Sequence, residues 1–385
     1  MIYLDNAAST EPLPSVLETL ARPDLQYNPS GMYSQSGYVN SRVEKARRDI
    51  LSCFVDGDSD DLILFTSGAT ESNNLALRTV AATWPHSHMI ASCIEHASVL
   101  NTLEILKKQS MIEDYTLVPV YKDGIVDPGD IDRAVRPNTS CVCVMAVNNE
   151  IGTVQPLDQI GLLCDTHNIV FMTDATQAIG NVRFGTNPAL LFDARFVNAD
   201  IVTFSAHKFH GPMGVGGLYM RSWLRKPNVF MGGGHQELQM RPGTENAPAI
   251  VAMAEAMDNI LHDPHVSYMQ ALLCERLSGI EGVSLNGHAW KRSPNNVNVR
   301  VDGCSGELLT LKLATDGICI GTGSACNNSS INPSHVLKAI GLTDEEANSS
   351  VRITLSRLNT NEEIFEFIDK FRTAVDFCRN RKSVL

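Results

Sequence analysis

The chain carries, at residues 62–73, the stretch LILFTSGATESN. A short β-rich run is followed by small residues and then by an amphipathic segment that begins near Thr70. Further β-rich runs lie at residues 89–92, 115–120, 141–147, 169–173, 201–205 and 216–220, and further amphipathic stretches at 70–84, 98–109 and 157–167. Apolar strands that alternate with helices predict an α/β fold whose mainly parallel sheet is covered on both faces.

The last third of the chain has a different pattern and predicts a second, smaller α+β domain. It contains helical stretches at 268–277 and 361–377, and β-rich runs at 295–301, 317–321 and 351–355. We expect residues 15–257 to form the large domain, and residues 1–14 together with 258–385 to form the small one.

Composition excludes several classes of protein. The 385 residues contain 31 Lys and Arg against 43 Asp and Glu, a formal net charge of −12, which argues against direct nucleic-acid binding. No stretch approaches the roughly 20 apolar residues of a membrane span. The opening sequence MIYLDNAAST has no apolar signal core. We therefore expect a cytoplasmic protein without a membrane partner.

The ten cysteines are scattered, with no CxxC pair and no histidine at zinc-ligand spacing, so neither a metal site nor a disulfide framework is expected. Cys326 differs from the others because it lies in the run GTGSACNNSS at 321–330. Gly, Ser and Asn predict an exposed loop. Accessibility is the first requirement of a nucleophilic thiol. On these residues alone, an incidental loop cysteine is an equal alternative.

Polar residues follow three of the predicted strands, and ligands bind at the carboxyl ends of strands in open α/β sheets. The helix start near Thr70 favours a phosphate, with a simple Thr N-cap as the alternative. Asp174 ends the run 169–173 and could hold a protonated pyridinium nitrogen, or cap a helix. Lys208 follows the run 201–205 and would suit Schiff-base chemistry if desolvated, or lie on the surface.

In this order the motifs resemble those of the pyridoxal-phosphate-dependent cysteine desulfurases of the NifS/IscS-like group, in the class V aminotransferase family. The resemblance is carried by SGATESNN (67–74), EHASV (95–99), VNNEIGTVQP (147–156), DATQAIG (174–180), SAHKFHGP (205–212), GGGHQELQMRPGTEN (232–246), GSAC (323–326) and SSVRITLS (349–356). It implies the fold of the type I pyridoxal-phosphate-dependent transferases. That fold has a large domain with a mainly parallel seven-stranded sheet between helices, and a smaller α+β domain.

The resemblance also implies a role for each matching residue around pyridoxal 5′-phosphate. Lys208 would form the Schiff base, Asp174 would pair with the ring nitrogen, and Gln177 would bind the ring oxygen. His96 would stack on the ring, with proton transfer as a further role. The phosphate would be held by four residues of the same subunit, Ala69, Thr70, Ser205 and His207.

Four further residues complete the implied site. Thr244 would reach the phosphate of the other subunit, which implies a homodimer. Asn149 and Arg352 would orient the substrate, Arg352 through a bidentate contact with its carboxylate. Cys326 would be the nucleophile that becomes a persulfide.

The implied activity is removal of sulfur from L-cysteine, giving L-alanine and a persulfide on Cys326. An acceptor protein would take this sulfur for iron–sulfur cluster assembly, tRNA thiolation or DNA phosphorothioation. A selenocysteine lyase or another class V transaminase or lyase is the alternative, and a non-catalytic partner-binding scaffold is a remote one. The stretch 180–200 is longer than expected, either as a surface elaboration or as a docking element. Asn327 and Asn328 are bulkier than the expected Ser, Thr or Ala, which leaves the acceptor open.

Overall fold

The structure is a computed structural model that describes residues 1–260, 263–322 and 333–382. Its strands are β1 (Ile2–Tyr3), β2 (Leu62–Thr66), β3 (His88–Ser92), β4 (Asp114–Val118), β5 (Thr139–Cys143), β6 (Val170–Asp174), β7 (Ile201–Ser205), β8 (Gly216–Met220), β9 (Val283–Leu285), β10 (Asn296–Val301), β11 (Ile318–Cys319), β12 (Gly321–Thr322) and β13 (Ser350–Thr354). Its helices are α1 (Pro14–Leu20), α2 (Ser34–Leu51), α3 (Ala69–Thr83), α4 (Ala97–Lys108), α5 (Pro128–Ala134), α6 (Leu157–His167), α7 (Ala247–Asp258), α8 (Pro264–Ser278), α9 (Gly306–Thr315), α10 (His335–Ala339), α11 (Asp344–Asn348) and α12 (Asn361–Lys382).

The large sheet has seven strands in the order β2-β8-β7-β6-β5-β3-β4. Strands β7, β6, β5, β3 and β4 run parallel, and β8 is antiparallel to both of its neighbours. Strand β2 therefore points the same way as β7, and its last residue, Thr66, lies at the same edge as Ser205 and Asp174. The prediction of a mainly parallel, seven-stranded sheet is confirmed.

Helices cover both faces of this sheet, and successive residues of one strand enter different cores. In β2, Ile63 and Phe65 belong to one buried cluster, together with residues of α2, α6 and α7. Leu64 belongs to the cluster on the opposite face, together with residues of α3 and α4. Because both faces are buried, the strands are continuously apolar rather than alternating.

The C-terminal part of the chain forms the antiparallel sheet β12-β13-β10-β9 and a two-stranded parallel pair of β1 with β11. The first residues of the chain thus pair with the last third. A separate apolar cluster joins Ile2 and Leu4 to residues of α8, α9 and α12. Val336 and Leu337 of α10, by contrast, pack into the core of the large sheet.

Most predicted elements lie within a few residues of the observed ones. The run 317–321 is the main exception, because it divides into two short strands that pair with different neighbours, β11 with β1 and β12 with β13. The short strands β1 and β9 were not predicted. Among the helices of the described ranges, none combines the length and apolar character needed to cross a bilayer.

The stretch 180–200 packs onto the large domain. The backbone N–H groups of Leu191 and Phe192 donate to the Cys53 carbonyl at 3.0 and 3.2 Å, and Phe192 is fully buried. On the other side, a Cβ added to Gly161 of α6 would lie only 1.8 Å from the Val197 carbonyl oxygen. Backbone and core contacts therefore hold this stretch against the end of α2 and the middle of α6.

Candidate active site

A cavity of about 500 Å³ opens at the carboxyl edge of the large sheet. It is bounded by the ends of β2, β6 and β7, by the chain near residues 7–9, and by β13 of the smaller sheet. The predicted site residues that line it are Ala69, Thr70, His96, Asn149, Asp174, Gln177, Ser205, His207, Lys208 and Arg352. The structure thus brings together ten residues that are up to 283 positions apart in the chain.

One end of the cavity is built for an anion. Helix α3 begins at Ala69, and its N-cap residue is Gly68, which offers no side-chain cap. The first amides of the helix are therefore available to a ligand. Gly68 has φ 152° and ψ 176°, a conformation nearly restricted to glycine, and a Cβ there would lie 3.4 Å from Ser205 Oγ. Thr70 lies inside the first turn, so the alternative that it caps the helix is wrong.

His207 lies at the same end, in the short turn that follows β7. Its Nδ1 is 3.3 Å from Ser9 Oγ. Burial, and to a smaller extent the charge of Lys208, lower the pKa of His207 to about 4. At neutral pH the ring is therefore uncharged and would bind an anion as a neutral hydrogen-bond donor.

The opposite end contains a buried carboxylate without a cation. Asp174 ends β6 and is only 5% exposed. Its Oδ1 accepts from the Thr176 N–H at 2.9 Å, and its Oδ2 accepts from Asn73 Nδ2 at 2.8 Å. No lysine or arginine in the described part of the chain forms an ion pair with it. A buried carboxylate held only by neutral donors is suited to a cationic ligand atom.

The Lys208 side chain projects into the cavity, so its alternative as a surface residue is wrong. Its Nζ donates to the carbonyl oxygens of Ala7 and Ala8, both at 2.7 Å. Gln177 Nε2 donates to the same Ala7 carbonyl at 3.0 Å. Backbone next to β1 therefore holds the amine at the cavity.

His96 lines the cavity as the N-cap residue of α4. Its Nδ1 accepts a hydrogen bond from the Ser98 backbone N–H at 3.1 Å and lies 2.8 Å from Ser98 Oγ. Because a backbone N–H can only donate, Nδ1 is the unprotonated nitrogen of the neutral ring. The Nε2 atom consequently carries the proton.

Arg352 enters the cavity from β13, with a side chain that is only 3% exposed. Its Nη2 forms an ion pair with Asp5 Oδ1 at 2.7 Å, and its Nη1 donates to the Asn149 carbonyl at 2.9 Å. Its Nε is buried and has no hydrogen-bond partner among the residues that the structure describes. Buried polar atoms are normally paired, so this N–H is a ready contact for a carboxylate ligand.

Two predicted site residues stand apart from these ten. Thr244 lines a neighbouring recess of about 180 Å³, which shares Ser67 and Gly214 with the main cavity. Cys326 lies outside the described residues. Its described flanks are β12, in which Gly321 pairs with Arg352, and Ser334, the N-cap of α10.

Sequence reasoning missed two contributors to the site. Asn73 was quoted within SGATESNN without a role, although an amide among the apolar residues of a helix signals a buried contact. Asp5 lies in the opening sequence MIYLDNAAST, and the sequence predicts no role for it. No local pattern indicates its ion pair with a residue 347 positions away.

Comparisons with known proteins agree with this geometry. The Aminotransferase class-V family model matches residues 2–367. The cysteine desulfurase IscS of Methanosarcina thermophila is 37% identical over 392 residues, which covers 98% of this chain and 93% of that protein. A solved NifS-like protein superposes with a TM-score of 0.86 at 31% identity, covering 98% of this chain and 99% of its own. A structure described as SspA in complex with cysteine gives a TM-score of 0.80 at 32% identity, covering 92% and 99%.

The chain belongs to the class V aminotransferase family and, within it, to the pyridoxal-phosphate-dependent cysteine desulfurases. The predictions of family, fold and cofactor are confirmed. The residues of the cavity also fit pyridoxal 5′-phosphate, independently of the comparisons. Uncapped helix amides suit a phosphate at one end, the cation-free Asp174 suits a ring nitrogen at the other, and the Lys208 amine is at the cavity.

Proposed function

We propose that this chain removes sulfur from L-cysteine, releasing L-alanine and leaving a persulfide on Cys326. The observation that carries the proposal is the convergence of Lys208, Asp174 and the buried Arg352 on one cavity. These three groups match the needs of an α-amino acid bound to pyridoxal 5′-phosphate: an amine base, a partner for the ring nitrogen and a partner for the substrate carboxylate.

The residues that would hold the cofactor are those at the two ends of the cavity. The Ala69 and Thr70 amides, Ser205 and His207 would bind the phosphate, and Asp174 would hold the proton on the ring nitrogen. Gln177, whose Nε2 donates to the Ala7 carbonyl at the cavity, would bind the ring oxygen. When bound, the cofactor supplies an electron sink for negative charge at the substrate α-carbon.

The chain's own groups then orient the substrate and move its protons. Arg352 binds the substrate carboxylate through Nε and the adjacent Nη, while Asn149 borders the same space. Lys208 leaves the Ala7 and Ala8 carbonyls and takes the α-proton on Nζ. His96 delivers or accepts a proton through Nε2, because Nδ1 is occupied by the Ser98 N–H.

The sulfur step needs one thiolate. The Cys326 sulfur attacks the substrate sulfur, so that an S–S bond forms while the substrate Cβ–S bond breaks. The electron pair of the broken bond stays on Cβ. L-Alanine is completed by one proton delivered to Cβ and by return of the α-proton from Lys208 to the α-carbon. The persulfide sulfur is then passed to an acceptor protein of iron–sulfur cluster assembly, tRNA thiolation or DNA phosphorothioation, in the cytoplasm.

We also infer a homodimer and two domains with the boundaries predicted from the sequence. Thr244 lies beside the phosphate end of the cavity but lines a separate recess, which supports a contact with a second subunit. Large apolar side chains on this side of the molecule are exposed, Met213 by 71% and Leu238 by 38%. A second copy of the chain would cover them.

The activity is tested with the purified enzyme, pyridoxal 5′-phosphate, L-cysteine and a reductant. We expect alanine and sulfide in equal amounts, and loss of both products in Lys208→Ala. Cys326→Ala should lose sulfide release, whereas Cys319→Ala, on β11 outside the cavity, should retain it. Full sulfide release by Cys326→Ala would show that the nucleophile assignment is wrong. Alanine formation from selenocysteine but not from cysteine would favour the lyase alternative.

The dimer is tested by mixing two inactive variants, Lys208→Ala and Thr244→Ala, after unfolding and refolding them together. If Thr244 serves the partner's site, each heterodimer contains one intact site, and activity reappears. A mixture as inactive as its components would contradict a shared site.

A further inference from the structure

The Asn73 side chain lies at the centre of a buried hydrogen-bond network behind the cavity. It belongs to the second turn of α3 and is fully buried. Its Nδ2 donates to Asp174 Oδ2 at 2.8 Å and to Ser98 Oγ at 2.9 Å. Its Oδ1 accepts from Thr203 Oγ1 at 2.6 Å. One amide thus joins two adjacent strands, because Asp174 of β6 and Thr203 of β7 are partners in register.

The orientation of this amide follows from its neighbours. An ionised carboxylate can only accept hydrogen bonds, so the NH₂ group must face Asp174 and the carbonyl must face the Thr203 hydroxyl. Both N–H bonds of the amide are then used, one by Asp174 and one by Ser98. A fully used, buried amide has no alternative rotamer of equal energy, so it is a rigid support.

The hydrogen-bond network of Asn73 also reaches His96, the residue that the resemblance places against the cofactor ring. Ser98 accepts from Asn73 and contacts His96 Nδ1 through both its hydroxyl and its backbone N–H. Asn73 therefore contacts one of the two ring-facing residues directly and the other through Ser98.

We propose that Asn73 is a positioning residue that fixes the Asp174 carboxylate towards the ring nitrogen of the cofactor. This inference rests on the proposed role of Asp174. A neutral amide donor stabilises the carboxylate charge without neutralising it, as an arginine or lysine would. The negative charge stays available to the ring nitrogen. Asn73 thus acts through Asp174, and contact with the cofactor is not required.

The test measures how tightly the cofactor-free enzyme binds two ligands, pyridoxal 5′-phosphate and its 1-deaza analogue, which has carbon in place of the ring nitrogen. Asn73→Leu keeps the size of the side chain and removes its donors. A hydrogen bond to a charged group contributes enough that we expect roughly ten- to hundredfold weaker binding of pyridoxal 5′-phosphate. Binding of the deaza analogue should change by less than about threefold, since Asp174 has no ring nitrogen to contact there.

The matched control is Thr79→Val, which removes from the same helix a buried hydroxyl that has no hydrogen-bond partner in the described part of the chain. It should change neither affinity. The proposal would be overturned if Asn73→Leu weakened the binding of both ligands equally, or the binding of neither. If Asn73→Leu does not fold, Thr203→Val is the second variant. This variant removes the hydroxyl that donates to the Asn73 carbonyl. It should weaken binding of pyridoxal 5′-phosphate by a smaller factor than Asn73→Leu and should again leave binding of the deaza analogue nearly unchanged.

Asp174→Asn separates this inference from the role on which it rests. If Asp174→Asn abolishes the preference for pyridoxal 5′-phosphate over the deaza analogue and Asn73→Leu leaves it unchanged, only the Asn73 inference is wrong. If Asp174→Asn leaves the preference unchanged, the proposed role of Asp174 is itself wrong. In the Asp174→Asn background, Asn73→Leu should add no further loss of preference.

Discussion

The cavity has two walls that are built in different ways. The large-domain wall takes its polar residues from the ends of neighbouring strands, where Asp174 and Ser205 each follow an apolar run directly. The wall from the smaller sheet depends on Arg352, whose partners Asp5 and Asn149 are 347 and 203 positions away. One wall is positioned by local chain geometry, and the other only by the complete tertiary fold.

The walls also differ in how they hold charge. The large-domain wall surrounds the Asp174 carboxylate with neutral donors. The other wall buries the Arg352 cation beside one carboxylate, and no described residue contacts its Nε through a hydrogen bond. The first arrangement suits the cofactor ring and the second suits the substrate carboxylate. Variants of the first wall should therefore weaken cofactor binding, and variants of the second should impair substrate use.

The largest effect is expected for Arg352→Lys. Lysine keeps the positive charge but loses the planar fork that can bind a carboxylate while contacting Asp5 and Asn149. We expect kcat/KM for L-cysteine to fall by at least about a hundredfold, in line with loss of a buried charged hydrogen-bond network. Steady-state kinetics would measure this effect, and the affinity for pyridoxal 5′-phosphate should stay within about twofold.

Arg300→Lys is the control for this variant. Arg300 lies on the neighbouring strand β10 of the same sheet, away from the cavity, and forms a longer, 3.8 Å ion pair with Glu346. Its kcat/KM should match that of the unmodified enzyme. A large loss of cofactor affinity in Arg352→Lys would show that the two walls do not have separate roles.

Gly68→Ala should produce the next largest effect, on the other wall. At φ 152° and ψ 176° an alanine is strained, at a cost of order 1–3 kcal/mol, and its Cβ would lie in contact with Ser205 Oγ at 3.4 Å. We expect roughly tenfold weaker binding of pyridoxal 5′-phosphate, measured by titration of the cofactor-free enzyme. At saturating cofactor, KM for L-cysteine should change little.

Gly37→Ala provides the comparison within a helix. Gly37 lies in α2, and a Cβ there would have no heavy atom within 4 Å. Alanine is favoured over glycine inside a helix, so this variant should bind the cofactor normally and be at least as stable. Unchanged cofactor affinity in Gly68→Ala would argue against the phosphate site at this helix start.

Asp5→Leu tests how Arg352 is held, with a smaller expected effect. Leucine removes the acceptor of the 2.7 Å contact with Nη2, so the guanidinium loses one of its two fixed partners. We expect KM for L-cysteine to rise by about tenfold. Asp5→Asn keeps an acceptor oxygen and should recover most of that loss, which separates orientation from charge. Equal KM values for Asp5→Leu and the unmodified enzyme would show that Asn149 alone orients Arg352.

The same contrast explains what could be predicted from the sequence. The large sheet and the residues after its strands were predictable because apolar runs and the polar residues that end them are adjacent in the chain. Asn73 reaches Asp174 across 101 positions and Asp5 reaches Arg352 across 347, so neither contact leaves a local pattern. The division of residues 317–321 into two strands also depends on partners from opposite ends of the chain, β1 and β13.

A second buried carboxyl, Glu95, precedes His96 in the chain and is fully buried behind the cavity lining. Its Oε1 accepts from the Met145 N–H at 2.8 Å and from Ser92 Oγ. Burial raises the pKa of Glu95 to about 8, above its ordinary value of 4.5, so the folded protein holds this proton at neutral pH. The two carboxyls thus differ in their partners. Asp174 is suited to a cationic ligand atom, whereas Glu95 binds a proton.

Glu95→Gln should therefore change how stability depends on pH. Between about pH 4.5 and 8 the folded state holds one proton at Glu95 that the unfolded state has released, so this carboxyl lowers the free energy of unfolding as the pH rises, by at most about 1.4 kcal/mol per unit. Below pH 4.5 both states are protonated and the contribution is constant. Glutamine cannot titrate, so the melting temperature of Glu95→Gln should decline less between pH 5 and 8. Calorimetry beside the exposed control Glu18→Gln would measure this difference, and parallel declines for all three proteins would show that Glu95 is ionised in the folded protein.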